Sequence, residues 1–340
     1  MTQYILRRLL TAIPTLLLIS FVIFGVLELA PGDPTGALPE TIRPEVRQMI
    51  REAMGLDKPM HIKYTLWLRQ FFLCEPVALI EQRWDTTISF EDNWCQLRLT
   101  SWGSRGTPVF DLVAQRFPQT LWVVGSAYLV AILIAIPIGV ISAARQYSVF
   151  DQIGTFVSIV GFSLPTFFTG ILLIIVFSVN LKWFPSIYDT NLVVNDWSSF
   201  MKQIRQMAMP VMVLGLFQAA ALARYTRSSM LDNLPMDYVR TVGAKGFQER
   251  YIILRHVLRN SLIPVVTLIA LGVPAIFGGA IITEQIFKVN GLGQLLILSM
   301  QVNDIPVVQT LIFIFAVLVV IFNFVADIIY GFLDPRIRFD

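Results

Sequence analysis

The sequence predicts an all-α polytopic membrane protein with six transmembrane helices, and three observations support this fold class. The chain has 340 residues, 55% of them hydrophobic, and its mean hydropathy is +0.67. Only 14% of the residues are charged, against about 25% in soluble domains. Six apolar stretches reach the roughly 20 residues that a helix needs to cross a bilayer core of about 30 Å.

The six predicted spans are long apolar runs separated by polar or basic segments. They cover approximately Leu9–Leu29, Thr120–Ile141, Ile153–Leu181, Met209–Tyr225, Leu262–Ile282 and Val307–Phe332. The fourth run is the most polar, because Gln218 and Arg224 interrupt it. Its alanines at positions 219–221 and 223 favour close helix–helix packing.

The first apolar run follows two arginines, as the apolar region of a secretory signal peptide would. At about 20 residues it is longer than that region usually is, and it ends in LELAPGDP without an A-x-A cleavage site. We therefore predict that residues 1–30 form a retained transmembrane helix.

Residues 31–117 form a long polar segment that we predict to be folded and periplasmic. Pro44–Met54 and Lys63–Phe72 have the spacing of amphipathic helices, and the second is rich in interfacial aromatic residues. After these helices, the pattern from position 74 to 102 is irregular and rich in tryptophan. In an oxidising periplasm, Cys74 and Cys95 are a candidate disulfide, and two unpaired thiols are the alternative.

The distribution of lysine and arginine predicts that both termini are cytoplasmic. With the N-terminus inside, the cytoplasmic parts carry 12 of these residues and the short outer loops carry four. The other ten lie in residues 31–117, and long loops are largely exempt from the positive-inside rule. Residues 118–335 then form a core domain of five helices, with a basic cytoplasmic loop at 227–261.

The most polar part of the predicted core domain is Asp237–Pro264, a basic island between two apolar spans. Its expected structure is a short helix over Tyr238–Lys245 with Asp237 as its N-cap, a sharp turn at Gly246, and a second helix that runs into the fifth span. An apolar stripe on the second helix would pack on the bundle; it comprises Phe247, Tyr251, Leu254, Leu258 and Leu262. Two interpretations stay open: a loop that only sets topology, or a docking element for a cytoplasmic partner.

The island, DYVRTVGAKGFQERYIILRHVLRNSLIPVV, resembles the cytoplasmic loop of binding-protein-dependent ABC importer permeases of the dipeptide, oligopeptide and nickel group. The resemblance covers nearly the whole chain. It includes ILRRLLTAIPTLLLISFVIFGVLELAPGDP, GFSLPTFFTGILL, ITEQIFKVNGLGQLL, DIPVVQT and LDPRIR. It implies the six-helix fold of type I importer permeases, and within that group the chain resembles the first permease of the pair.

The resemblance also implies partners and a mechanism. The partners would be a second, homologous permease, two ATP-binding subunits and a substrate-binding protein, assembled in the cytoplasmic membrane of a bacterium or archaeon. A coupling helix at Tyr238–Gly246 would insert into a cleft of an ATPase subunit. Its contact residues would be Arg240, Thr241, Ala244 and Lys245.

The chain departs from the group at two places. About 25 residues around Cys74–Leu99 look inserted into the outer segment. Val242 and Gly243 stand where the group more often has Ala and Arg, which predicts a looser first helix in the island.

Several polar residues lie within or near the predicted spans. Ser163, Gln218 and Asn323 are candidates for lining a translocation pathway, with interhelical hydrogen bonding as the alternative role. Glu284 and Asp327 lie near span ends and are candidate functional residues because ionisable groups are costly in lipid.

The sequence contains no GxxxxGK[ST], CxxC or HExxH motif and no identifiable nucleophile–base pair. It therefore predicts no catalytic site, no metal and no cofactor in this chain, and the net charge of +3 gives no reason to expect nucleic acid. Transport of peptides is the leading interpretation, with nickel, glutathione or oligosaccharide as alternative cargo. A stand-alone secondary transporter is the alternative of a different class, although no internal repeat is evident.

Overall fold

The computed structural model describes residues 2–29, 43–53, 57–84, 98–104 and 106–333. These residues are helical apart from turns, loops and one isolated bridge between Thr100 and Pro108. The helices are α1 (Thr2–Leu29), α2 (Pro44–Ala53), α3 (Met60–Arg69), α4 (Glu75–Trp84), α5 (Val109–Ala144), α6 (Val149–Ser163), α7 (Thr166–Leu173), α8 (Trp197–Asn233), α9 (Asp237–Ala244), α10 (Glu249–Ile252), α11 (Leu258–Phe287), α12 (Leu292–Gln301) and α13 (Ile305–Leu333). Wider π-helical turns occupy Gln70–Cys74, Ile174–Asn180 and Ile253–Val257.

The chain divides into two compact units. The first comprises Met1–Leu10, Pro118–Gln294 and Leu318–Asp340, and the second comprises Thr11–Phe117 and Leu295–Val317. The sequence-based division at residues 30 and 117 stays a prediction.

Five described helices are long and apolar enough to cross a membrane: Leu6–Leu29, Val109–Ala144, Trp197–Asn233, Glu249–Val273 and Ile305–Ile328. The predicted third span, Ile153–Leu181, is broken in the structure. It lies on two segments, Val149–Gly161 and Thr166–Asn180, that are bent by 103°. Pro165 explains the break, because proline disfavours helical geometry at the preceding residue, and Leu164 is extended with φ −82° and ψ 128°.

Small residues let α5 and α8 approach closely in the first unit. Ala131 and Ala135 of α5 form a buried cluster with Ala219 and Ala223 of α8, which confirms the predicted packing role of the alanines at these last two positions. The hydrophobic effect does not drive helices together in a membrane, because lipid tails are as apolar as the side chains. Close van der Waals packing between small residues stabilises the contact instead.

Gly139 lies at the tightest point of this contact. A β-carbon there would stand 2.6 Å from Thr226 Cβ and 2.8 Å from the carbonyl oxygen of Ala223. We expect Gly139→Ala to destabilise the protein by about 1–3 kcal/mol, as overpacking does, and to lower the midpoint of thermal unfolding in detergent. Gly125→Ala is the matched control, since no atom lies within 4 Å of its added carbon. Equal midpoints for the two variants would contradict the close approach.

An aromatic cluster forms the core of the second unit. Trp67, Phe71, Phe24 and Phe313 are all buried, and the Trp67 and Phe313 ring centroids lie 5.4 Å apart. The aromatic residues predicted to be interfacial at positions 67 and 71 are therefore core residues.

The structure also corrects the prediction of an irregular chain after position 74, because α4 occupies Glu75–Trp84. The buried carboxylate of Glu75 connects the first residue of α4 to residues 98 and 99. Its Oε1 accepts the backbone N–H of Leu99 at 2.7 Å, and its Oε2 accepts Arg98 Nη2 at 3.1 Å. Burial opposes the charge of Arg98, but hydrogen bonds and charges from Glu75 and Asp111 outweigh it and raise the pKa of Arg98. The Arg98 guanidinium therefore keeps its charge beside the two carboxylates.

The predicted disulfide falls partly within the described chain. Cys74 is buried and disulfide-bonded. Cys95 lies outside the described residues, so the pairing of these two cysteines stays a prediction.

A second buried carboxylate, that of Asp304, fixes a loop in the same unit. It accepts the Ser101 hydroxyl and the backbone N–H groups of Trp102 and Gly103, at 3.1 and 3.0 Å for the two amides. Asp304 immediately precedes α13 and belongs to the motif DIPVVQT. One role of that motif is thus to hold residues 101–103.

Candidate functional site

The basic island folds as an elbow, which we define as α9, the turn after it and α10. The structure places Asp237 inside α9 as its first residue, with Met236 as the N-cap, which corrects the predicted cap. In the first turn, the acidic side chain of Asp237 still interacts favourably with the helix dipole. The helix continues through Val242 and Gly243, although the departures from the family at these positions predicted a looser segment.

One face of α9 is open and carries most of the predicted contact residues. Arg240, Thr241 and Ala244 are exposed, as are Lys245 and Gly246 just after the helix. Their spacing places the three helical residues on one side, because Ala244 is four residues from Arg240 and three from Thr241, and such pairs are neighbours on a helix surface. Tyr238, the remaining predicted residue, is half-buried and points its hydroxyl to Asn233.

The opposite face of α9 is attached to the helix bundle. Val239 and Val242 pack on a buried cluster whose members come from α5, α8, α10 and the following π-helical turn: Val140, Ala143, Met230, Ile252 and Val257. The packing of these two β-branched side chains fixes the rotation of α9 about its own axis. Such a short helix depends on tertiary contacts for its stability. A force applied to the open face would therefore reach α5 and α8 through a packed contact.

The turn of the elbow depends on Gly246. Its φ of +79° lies in the left-handed region, which favours glycine, and it directly follows Lys245, the C-cap of α9. A β-carbon at position 246 would meet no neighbouring atom within 4 Å. The strain of a substitution there would therefore come from the backbone conformation and not from a clash.

The structure overturns the first part of the predicted apolar stripe, whereas Leu258 packs on the buried cluster as predicted and Leu262 is half-buried. Phe247, Tyr251 and Leu254 are exposed, and the first two rings stack on each other at 5.1 Å. The buried ridge instead comprises Ile252, Val257, Ser261 and Val265. The first two members, Ile252 and Val257, are five residues apart because a π-helical turn spans Ile253–Val257. A π-helical turn holds one more residue than an α-helical turn, so the buried face is rotated away from the one that a regular helix predicts.

A chain of hydrogen bonds connects α9 to both neighbouring spans. The Tyr238 hydroxyl donates to Asn233 Oδ1 at 3.2 Å, and Asn233 Nδ2 donates to the carbonyl of Ser229 at 2.9 Å. Ser229 and Ser261 each donate a hydroxyl to the other's carbonyl, at 2.8 and 3.2 Å. We name these four residues the relay, and they link α9 to α8 and α11.

The relay yields a prediction about stability. Asn233→Ala removes two of its hydrogen bonds, each worth about 1 kcal/mol, so we expect the free energy of unfolding in detergent to fall by about 2 kcal/mol. Asn260→Ala is the matched control, because that asparagine is exposed and makes no side-chain hydrogen bond within the described chain. Equal free energies of unfolding for the two variants would contradict the role of the relay.

Two family models together match most of the chain. The model described as "Binding-protein-dependent transport system inner membrane component" matches residues 135–339, and that of the corresponding N-terminal region matches residues 1–124. The chain belongs to this family of inner membrane components. The predicted family is therefore confirmed, and so is the all-α polytopic fold class.

Curated relatives match the permease over its whole length. The oligopeptide transport system permease protein AppB of Bacillus subtilis is 39% identical over 340 residues, covering 100% of both chains. The glutathione transport system permease protein GsiC of Salmonella typhimurium is 33% identical over 342 residues, also covering 100% of both. A component of a binding-protein-dependent system works with a substrate-binding protein and other subunits of the transporter, so a stand-alone transporter is not supported.

The permease contains a buried ion pair that the sequence did not indicate. Asp151 of α6 accepts Arg227 Nε at 2.6 Å and Nη2 at 2.8 Å, with α8 supplying the arginine. The same carboxylate accepts the backbone N–H of Tyr147 at 3.0 Å. In the sequence, Asp151 lies just before the third apolar run and Arg227 just after the fourth. Their opposite charges near the ends of two spans were the feature that could have suggested the pair.

Glu284, a predicted functional suspect, has a structural role in the permease. Its fully buried carboxylate accepts the Thr120 hydroxyl at 2.7 Å and the backbone N–H groups of Gly293 and Gln294 at 2.8 and 3.1 Å. It thus caps the start of α12 and ties this helix to α5. A β-carbon at Gly291 would stand 2.3 to 2.4 Å from the carboxylate, which explains the glycine in the NGLG motif.

The other polar candidates lie on three separate helices of the permease. Ser163 is exposed and donates its hydroxyl to the carbonyl of Ile159 at 2.7 Å, and Asn323 is exposed on α13. Gln218 is half-buried and hydrogen-bonded to Tyr128. Asp327 pairs with Arg8 at 2.7 Å. The pathway role of Ser163, Gln218 and Asn323 stays a prediction.

Proposed function

We propose that this permease imports peptides or similar small solutes, forms half of the translocation pathway, and couples to ATP hydrolysis through α9. Its working assembly contains a second, homologous permease, two ATP-binding subunits and a substrate-binding protein. The observation that carries the proposal is the open face of α9 held on a packed inner face, with Arg240, Thr241 and Ala244 outward and Val239 and Val242 inward.

The orientation in the proposal has both termini and the elbow in the cytoplasm. The excess of 12 over four lysines and arginines in short loops supports this orientation. The elbow then faces the compartment that contains ATP.

In the proposed cycle, ATP-driven closure of the partner subunits moves the elbow, and the bundle opens to a loaded binding protein. Changing an equilibrium from 1:99 to 99:1 takes about 5.5 kcal/mol of differential binding, which the partner subunits would supply. The packed inner face and the relay would transmit this work because both join α9 to long helices. Ser163, Gln218 and Asn323 remain the proposed pathway residues.

The similarity of 39% to an oligopeptide permease supports peptides as the substrate class. Glutathione is the second candidate, and a glutathione permease at 33% identity favours it. Both are peptides in the chemical sense, with free carboxylates and amide bonds.

The test is uptake into proteoliposomes that contain the complete complex. Labelled oligopeptides of two to six residues, glutathione and nickel ions are each supplied with the cognate binding protein, with and without ATP. We expect ATP-dependent uptake of oligopeptides. Uptake of glutathione alone would replace the substrate class, and the absence of ATP-dependent uptake for every cargo would overturn the function.

A further inference from the structure

Two adjoining cavities open beside residues 181–196 and the first half of α8, with volumes of about 410 and 510 Å³. They share Lys182, Phe184 and Arg205 in their walls. The smaller cavity adds Lys202 and Asp189, so three cations face one carboxylate. The larger cavity is mainly apolar; its walls include Trp183, Met201 and Ile204.

The three cations of this basic cavity exceed the one carboxylate in its wall. Arg205 Nε donates to the carbonyl of Trp183 at 2.8 Å, which orients the guanidinium and leaves its other N–H groups without a recorded partner in the described chain. Lys182 is held in the left-handed region at φ 54°, an uncommon conformation for a side-chain-bearing residue. Neither Lys182 nor Lys202 makes a hydrogen bond or ion pair among the described residues.

The carboxylate of Asp196 interacts with the charge of Lys202, but it already accepts hydrogen bonds from Ser199. Hydrogen bonds from Ser199, followed by weaker effects that include the charge of Lys202, hold the pKa of Asp196 below its usual range. Its carboxylate caps α8 by accepting the backbone N–H of Ser199 at 2.8 Å. The excess positive charge of the cavity therefore persists.

A buried polar network fixes the floor of the cavity. The Tyr188 hydroxyl accepts Gln203 Nε2 and donates to Gln119 Oε1 at 2.8 Å. Gln206 joins it by donating to Gln203 Oε1 at 2.8 Å and accepting the backbone N–H of Asp189 at 2.9 Å. Burial raises the pKa of Tyr188, so its hydroxyl stays protonated. The surface is thus formed before any partner arrives, which lowers the entropic cost of binding.

The cavities and the elbow lie at opposite ends of one helix. α8 has 37 residues, with the cavity residues 201–206 near its start and α9 just after its end. At 1.5 Å per residue such a helix is about 55 Å long, which exceeds the roughly 30 Å of a bilayer core. The cavities therefore face the side of the membrane opposite to the elbow.

We propose that the two cavities are a docking surface for the substrate-binding protein and that they accept a surface loop of that protein. The loop would carry an Asp or Glu side chain next to a bulky apolar side chain. The carboxylate would enter the basic cavity and the apolar side chain the neighbouring apolar one. The proposal rests on the proposed function, because it takes the elbow to be cytoplasmic.

The chemistry of the walls favours a protein loop over a phospholipid headgroup. The basic cavity offers three cations to a carboxylate, and the adjoining cavity offers Trp183, Met201 and Ile204 to an apolar side chain next to it on the same loop. Tryptophan and arginine side chains are enriched at the energetic centres of protein interfaces, and both Trp183 and Arg205 line these cavities.

The test measures ATP hydrolysis by the complete complex in nanodiscs as the concentration of loaded binding protein is varied. We expect Lys182→Glu with Lys202→Glu to raise the half-saturating concentration at least about tenfold, because charge at an interface sets the association rate. Arg205→Glu should give a similar increase. Lys288→Glu is the matched control, since this exposed lysine of another predicted outer loop does not line either cavity.

Salt and cross-linking provide independent outcomes. Raising the salt concentration should increase the half-saturating concentration of the wild type and leave the double variant nearly unchanged. A photo-crosslinker at Met201 should capture the binding protein. Capture of the second permease or of phospholipid, or a double variant that behaves like Lys288→Glu, would overturn the proposal. Loss of ATP-dependent uptake in the wild type would instead count against the proposed function.

Discussion

Replacing Ala244 by glutamate is expected to lower, by at least about tenfold, the ATP hydrolysis that a loaded binding protein stimulates. Ala244 is exposed at the C-terminal end of α9, beside Arg240 on the open face. Glutamate adds both bulk and a negative charge that would be desolvated on docking, and an unpaired buried charge at an interface costs about 2–5 kcal/mol. Stimulated hydrolysis in the reconstituted complex should therefore fall at least about tenfold.

The control for this experiment places the same charge on another part of the same end of the bundle. Gln146 is exposed in the turn between α5 and α6, so Gln146→Glu adds an acid without touching α9. Both variants should insert into the membrane in wild-type amounts, because neither side chain is buried. Wild-type stimulation in Ala244→Glu would remove the docking role from the open face.

Removing the Glu284 carboxylate is expected to give the largest loss of stability. In Glu284→Ala the buried amides of Gly293 and Gln294 lose their acceptor, and each unsatisfied buried group costs about 1–3 kcal/mol. Glu284→Gln should cost less, since the amide oxygen can still accept these groups and its NH₂ can donate to Thr120. We expect the melting temperature of the purified permease in detergent to fall in the order wild type, glutamine variant, alanine variant.

A double-mutant cycle with Gly291 tests the same contact sterically. Gly291→Ala alone places a methyl group against the carboxylate and should be strongly destabilising. In the Glu284→Ala background the methyl group has room, so the added cost should be much smaller. Additive costs would show that the two residues do not meet. Glu45→Ala, on the exposed surface of α2, is the control for loss of a carboxylate.

The elbow shows how far a sequence pattern reaches. The turn at Gly246 was predictable because glycine alone favours a positive φ, and the start of α9 was predicted to within one residue. The buried face of the second helix was not predictable from period 3.6, because the π-helical turn at Ile253–Val257 changes the period locally. Apolar spacing chose Phe247 and Tyr251, whereas the fold buries Ile252 and Val257.

The polar residues of the spans show the same limit. The pattern could mark Glu284 and Asp327 as costly in lipid, but it could not supply their partners. Thr120 is 164 positions from Glu284, and Arg227 is 76 positions from Asp151. Pro165 did carry a usable signal, since a proline inside a run of apolar residues marks a candidate break.

The sequence by itself determined the membrane class of this protein, its apolar segments, its basic island and the family to which it belongs. Hydropathy, charge and the conformational freedom of glycine are properties of single residues and short segments, so they can be read along the chain. Only the tertiary structure decided which face of the elbow is open, which carboxylates cap helices and where cations surround a cavity. Those features arise from residues that folding brings together from distant positions, and packing, not local preference, sets their energies.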